Sequence, residues 1–237
     1  MMIAAFTIAF IAALIRGFSG FGYAVLVVLG LNLLMPAQQA IATAIFLDLV
    51  CCLSLIPRAL HDYHRVLLKE LLLGMVLMLP VGMWAVNFLP APLMSLIVGS
   101  VSLLGGVLLW LNIPLRKLHH QFAIPAGMAS GLAMTTASAG GPPMMVYLLN
   151  QPIPSIQKRS TAILFFAVCS GCTCIGLAFS GLINGNTLHW GGLMLFPSLL
   201  GNFCGQKSFQ QWGHLPFQRG IAPLLILMSL WVILRHW

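Results

Sequence analysis

Charge is what this sequence lacks most. Only 6% of its 237 residues are Asp, Glu, Lys or Arg, and three of those are acidic. An average soluble domain carries roughly 25%. So few charges cannot cover the surface of a soluble protein of this size. With 60% apolar residues, a soluble enzyme and a disordered chain are both excluded. Alternation of apolar and polar residues is missing too, which excludes an outer-membrane barrel; the apolar runs are continuous. No basic, aromatic-interleaved face exists, so the net charge of +8 does not point to nucleic acid. No basic region precedes the apolar stretch Met1 to Leu14, and apolar sequence resumes soon after it. It reads as a retained membrane segment and not as a cleaved signal. No loop is long enough for a soluble domain. What remains is an all-α polytopic membrane protein.

The cysteines Cys51, Cys52, Cys169, Cys172, Cys174 and Cys204 all fall inside apolar runs. Cys169-x-x-Cys172-x-Cys174 has the look of a metal cluster, but no His, Asp or Glu stands near it to complete a shell. Set among Ala, Gly and Ser, these cysteines read as small packing residues at helix contacts. No metal and no cofactor is expected.

Mean hydropathy is +1.00. A helix needs about 20 apolar residues to cross the hydrocarbon core. Six segments qualify: Gln38 to Pro57, Val66 to Leu89, Pro92 to Ile113, Ser160 to Ile183, Leu188 to Gln206 and Leu215 to Leu234. Two stretches do not. Met2 to Met35 is interrupted by Arg16-Gly17-Phe18-Ser19-Gly20-Phe21-Gly22, and Gln121 to Asn150 by Thr135-Thr136-Ala137-Ser138-Ala139-Gly140-Gly141-Pro142-Pro143. A straight helix of such length is about 45 Å, too long for the bilayer, whereas each arm of a hairpin reaches only about 20 Å. A re-entrant hairpin with its tip inside the membrane is the compromise. Such backbone is tolerated where protein or a wet cavity satisfies it.

The two interrupted stretches are related. Ser19-Gly20-Phe21-Gly22 precedes Ser138-Ala139-Gly140-Gly141 by 119 residues. Gly82 and Gly201 are also 119 apart, while Pro36 and Pro154, and Thr43 and Thr161, are 118 apart. The single transmembrane domain therefore divides into repeats 1–118 and 119–237, each an interrupted hairpin followed by three spans.

Charge placement favours hairpins. If each interrupted stretch returns to its own side, Arg58, Arg65, Lys69, Arg116, Lys117, Lys158, Arg159, Lys207 and Arg219 share one side. Arg235 alone lies opposite, and Arg16 is left in a hairpin tip. Single crossings would split the basic residues six against four, which the positive-inside rule disfavours. A hairpin plus three spans ends opposite to where it began, so the second repeat is inverted, with both termini outside. Inverted repeats with broken helices are a transporter architecture.

Each hairpin tip offers free N–H groups where its second arm begins, and a helix N-terminus attracts anions. Gly20, Gly22, Gly140 and Gly141 allow close backbone approach. Arg16 adds a full charge with a fork suited to sulfonate, sulfite or carboxylate oxygens. Phe21 lies between the first two glycines, and Ser19, Thr43, Ser138, Ser160 and Thr161 offer hydroxyls beside the motifs. The plainer alternatives are tight helix packing for the glycines, back-bonding for the hydroxyls and snorkelling for Arg16. Lys158 and Arg159 either funnel anions or anchor topology. Asp48, near the middle of a span, is the candidate for proton coupling, against an interhelical hydrogen bond. Asp62 and Glu70 read as surface salt-bridge partners of the loop Arg58–Lys69.

Gly17-Phe18-Ser19-Gly20-Phe21-Gly22, followed by a Pro and then Ala42-Thr43, resembles the first repeat of the TauE/SafE family of membrane permeases. Gly131, Ser138-Ala139-Gly140-Gly141-Pro142-Pro143 and Lys158-Arg159-Ser160-Thr161 resemble the second. The likeness runs from about residue 8 to 234. It implies cofactor-free secondary transport of sulfite, sulfoacetate or another small organosulfonate across the plasma membrane. The family commonly shows three glycines in each motif; here Phe21 and Tyr23 intervene in the first and two prolines follow in the second. The two aromatic rings either narrow the site or stack on an organic group.

The expected partners are therefore a small anion, protons and the lipid bilayer, with a homodimer left open. The competing reading is an intramembrane thiol carrier using Cys51 or Cys52 and the Cys169 cluster. An intramembrane hydrolase at Ser19 or Ser138 lacks a general base.

Overall fold

The computed structural model describes residues 2–111, 122–212 and 218–236. Arg116, Lys117, His119, His120 and His214 lie outside the described residues. Every element among the described residues is a helix. The first stretch forms α1 (Met2–Ser19) and α2 (Tyr23–Leu31), followed by α3 (Ala37–Leu53), α4 (Ile56–Asp62), α5 (Arg65–Phe88) and α6 (Ala91–Leu111). The second forms α7 (Ala123–Ala137) and α8 (Gly141–Leu149), followed by α9 (Ser155–Phe179), α10 (Gly185–Trp212) and α11 (Gln218–His236).

Both stretches break at their glycine motifs, but each break is shorter than the sequence suggested. In the first, Arg16 to Ser19 continue α1, and only Gly20 to Gly22 leave it. Gly20 closes the last turn with an N–H bond to the Arg16 carbonyl (2.7 Å). Gly20 (φ 85°) and Gly22 (φ 93°) then take left-handed backbone, which glycine adopts without a Cβ clash. Arg16 therefore belongs to the last turn of α1 and not to a loop tip. In the second, Pro142 and Pro143 fall in the first turn of α8, where a missing N–H has no partner to lose.

Among the described residues three helices, α5, α6 and α9, are long and apolar enough to cross a membrane. The pair α3 and α4 makes a fourth if its 64° bend lies within one span. The expected span Gln38 to Pro57 is thus corrected: its straight helix stops at Leu53, and Pro57 opens α4 beyond the bend.

The helix pairing has a regular pattern. α1 packs along α10 and α7 along α5, while α3 packs on α9 and α6 on α11. Both long contacts run on glycine. A Cβ on Gly17, Gly201 or Gly205 would strike backbone across the α1–α10 seam, as would one on Gly74 or Gly127 across α5–α7. Small residues let backbones close to van der Waals distance where lipid gives no hydrophobic drive.

Basic residues gather at one end of the bundle. Arg58 on α4, Arg159 near the start of α9 and Gln206 near the end of α10 line one cavity there. The His64 N–H, beside Arg65 at the start of α5, donates to Thr161 Oγ1 (3.0 Å). At the other end the ties are uncharged: Gln38 donates to the Leu89 carbonyl (3.1 Å), and Asn87 to Ser180 (2.9 Å). Asp62 does not pair with a described basic residue, contrary to expectation; the ion pair among the described residues is an internal one, Arg16 with Asp48.

Candidate functional site

α1 is helical through Arg16 because its residues are apolar and small, and its side chain projects inward, 1% exposed. A guanidinium so buried must be paired. One of its terminal nitrogens donates to Asp48 Oδ1 on α3, and the other to Cys52 Sγ one turn further along α3. Asp48 is fully buried as well. Its second oxygen accepts from Ser170 of α9 and, at 3.8 Å, from Cys52. The Phe166 ring of α9 closes the cluster, with the Arg16 guanidinium 5.9 Å from its centroid.

Beside this cluster lies a cavity of about 10 Å³, lined by Arg16 from the last turn of α1, Gly22 from the first break, Ser138 from the second, Gly141 at the start of α8, and Asp48, Met134 and Phe166. That is about the room one water needs. Arg16 Nε and Ser138 Oγ are buried there with no hydrogen-bond partner among the described residues. Ser138 is also the residue other than glycine with positive φ (52°) among those described. Its N–H still closes α7 on the Met134 carbonyl at 3.0 Å. Left-handed serine costs roughly 1–2 kcal/mol, so a strained backbone holds an unpaired hydroxyl at this point. The breaks also touch directly: the Phe21 ring packs on Gly141, where a Cβ would come within 2.9 Å of it.

A family model described as "Sulfite exporter TauE/SafE" matches residues 5–232. The chain belongs to the TauE/SafE family. Neither a curated protein nor a solved structure matches it. Family and apolar helices together make it a membrane protein of a transporter family.

The TauE/SafE chain brings together Arg16, Gly22, Asp48, Ser138 and Gly141 of the residues singled out from sequence. The others are placed elsewhere. Ser19 Oγ is used locally, donating to the Ile15 carbonyl (2.8 Å) and accepting from the Phe21 N–H (3.3 Å). Gly20 packs on the Arg159 side chain, and the Gly140 carbonyl accepts from Ser130 (2.6 Å). Thr43 is buried, its hydroxyl without a hydrogen-bond partner among the described residues, but it does not line the cavity. Thr161 is taken by His64, and Ser160 lines the wider cavity at the basic end. Tyr23 does not line the small cavity; its hydroxyl shares a hydrogen bond with Ser198 of α10 (2.7 Å).

Lys158 and Arg159 cap helices. Lys158 Nζ donates to the Leu149 carbonyl at the end of α8 (2.8 Å). Arg159 donates to the Gly17 and Phe18 carbonyls at the end of α1 (2.7 and 3.3 Å). Cations there meet orphan carbonyls and the negative end of the helix dipole.

Sequence reading missed Met134, Phe166 and Ser170 as site residues, and offered Cys52 only to a thiol carrier. A signal for them exists. The positions Arg16 and Met134, Asp48 and Phe166, and Cys52 and Ser170 are each 118 apart. So are Gly20 and Ser138, which end α1 and α7, and Asn32 and Asn150, which end α2 and α8. The 119-residue spacing drawn from the motif letters is off by one at the breaks themselves.

All six cysteines are free. Among the described residues no three His, Cys, Asp or Glu side chains gather as a metal site.

Proposed function

We propose that the chain is a secondary transporter that carries a small sulfur oxyanion or organosulfonate, sulfite foremost, across the plasma membrane. The site would be the cavity between the two breaks, reached by alternating access. The carrying observation is that both helix breaks converge on one buried arginine, whose Nε, with the Ser138 hydroxyl beside it, lacks a partner. A site of this size admits no sulfite as it stands, so it corresponds to a closed state that must widen when substrate enters. The reciprocal packing of α1 on α10 and α7 on α5 supports two inverted repeats, 1–118 and 119–237, each with a re-entrant hairpin. The basic end of the bundle would then face the cytoplasm.

Asp48 supplies the coupling in this reading. As a carboxylate it occupies Arg16; on taking a proton it releases the guanidinium to the anion. The substrate and the proton would thus move together. The test is flux of labelled sulfite, sulfoacetate and small carboxylates into proteoliposomes, under both gradient directions. Flux of a sulfur anion, faster with an inward proton gradient, is expected. No flux of any of them in either direction would sink the proposal.

A further inference from the structure

A cavity of about 460 Å³ opens at the basic end of the bundle, between α4, the start of α9 and the end of α10. Its walls include Arg58, His61 and Asp62 from α4, Arg159 and Ser160 from α9, and Phe209 from α10. Two guanidinium groups therefore share one cavity with one carboxylate. Arg159 lies over the Phe209 ring, 4.2 Å from its centroid, which fixes the plane of its fork. Nε and one terminal nitrogen serve the Phe18 and Gly17 carbonyls; the other terminal nitrogen makes no hydrogen bond with a described residue. Those carbonyls belong to the turn of α1 that carries Arg16, and Gly20 packs on the Arg159 side chain. Arg159 thus stands between the wide cavity and the segment Arg16–Gly22 that lines the closed one.

We propose that this cavity is an oxyanion-binding vestibule, in which Arg58 and Arg159 take the transported anion from the basic side before it reaches Arg16. The inference rests on the transport reading above. Like charges facing one cavity raise the local concentration of anions, and guanidinium forks match the oxygens of sulfite or a sulfonate. The volume lies within the range of small-molecule sites, about 300–1,000 Å³. A lipid phosphate offers the same oxyanion chemistry, and the experiment separates the two sources.

Arg58→Gln is the informative variant, because Arg58 is exposed and makes no hydrogen bond with a described residue, whereas Arg159 holds the end of α1. Initial rates of ³⁵S-sulfite flux are measured in right-side-out and in inverted membrane vesicles. KM from the basic face should rise roughly threefold to tenfold, and KM from the opposite face should not move. An unchanged KM at the basic face, or an equal rise at both faces, overturns the vestibule. Adding phosphatidylglycerol tests the headgroup: a wild-type KM indifferent to it supports the vestibule. A rise that Arg58→Gln abolishes assigns the cavity to lipid and overturns it. If the wild type carries no sulfite from either face, the transport reading fails instead. Binding of ³⁵S-sulfite to the purified protein in phosphatidylcholine nanodiscs then decides the subsite alone: weakening by Arg58→Gln keeps it, and no difference removes it.

Discussion

Arg16 on α1 pairs with Asp48 on α3, and the residues 118 positions after each of them, Met134 and Phe166, line the same cavity. Cys52, which accepts from Arg16, has as its counterpart Ser170, which donates to Asp48. Three position pairs from the two halves of the chain thus surround one point. Their chemistry differs: one half supplies both charges, the other a thioether and a ring. Among the described residues Arg16 consequently has a single carboxylate partner, Asp48. In the proposed transport cycle an incoming anion would compete with that partner, and the pair would be the element with two arrangements.

Asp48→Asn removes the competitor. Flux of a sulfonate, whose own charge is constant over the range, should rise in the wild type as pH falls, because protonated Asp48 no longer holds Arg16. In Asp48→Asn the profile should be flat. The variant should also lose about 3–5 kcal/mol of stability, since Arg16 is left buried and unpaired. Sulfite at a hundredfold excess over its Kd should restore about 2.7 kcal/mol. Flux against pH, and thermal unfolding in detergent with and without sulfite, check both statements. A wild-type pH profile retained in the variant would clear Asp48 of coupling.

Removing the pair whole separates stability from function. Arg16→Met alone strands the Asp48 carboxylate and should cost about 3–5 kcal/mol. Arg16→Met with Asp48→Leu leaves no buried charge and should regain most of that, because apolar replacements of buried ion pairs are often neutral or better. The double variant should unfold near the wild-type temperature yet bind no anion. Sulfite binding in the double variant at wild-type affinity would show that Arg16 is not a ligand.

The two breaks and the ends of α5 were legible because each rests on local chemistry: glycine and proline at a turn, length of apolar run. The ion pair was not. Arg16 and Asp48 are 32 residues apart on helices that are apolar on all sides, so no stripe shows which faces meet. Ser160 and Thr161 are placed by packing that the sequence does not show. They follow the second motif in sequence, but the turn after Pro154 carries them onto the face of α9 that meets the α4–α5 junction. The Cys52 and Ser170 contacts follow from the same 118-residue offset as Pro36 and Pro154, once the halves are aligned on helix ends and not on the letters of the glycine motif.

Ser138 stands where the first half has Gly20, and its backbone is left-handed. Ser138→Gly should therefore stabilise the protein by about 1 kcal/mol through relief of strain, while removing a hydroxyl from the cavity. If that hydroxyl meets the anion, sulfite affinity should fall by roughly tenfold, the effect of one hydrogen bond to a charged group. Thermal unfolding and ³⁵S-sulfite binding read the two effects separately. Higher stability with unchanged affinity would reduce Ser138 to a turn residue.

The cysteines give the sharpest test between anion transport and thiol exchange. Cys51, Cys52 and Cys169 are buried and all six are free. Of the six, Cys52 is the one that hydrogen-bonds Arg16 and Asp48. Thiol exchange needs an accessible thiolate, whereas a hydrogen-bonding role at position 52 needs only a small polar atom. Serine supplies one, as Ser170 already does across the cluster. A chain with Cys52→Ser and the other five cysteines changed to alanine should therefore keep sulfite flux within about twofold of wild type, a difference of a few tenths of a kcal/mol. Cys52→Ala in the same background leaves Arg16 one acceptor short and should lower flux further. Abolition of flux in the serine-52 chain, with folding intact by thermal unfolding, would favour the thiol carrier over the anion transporter.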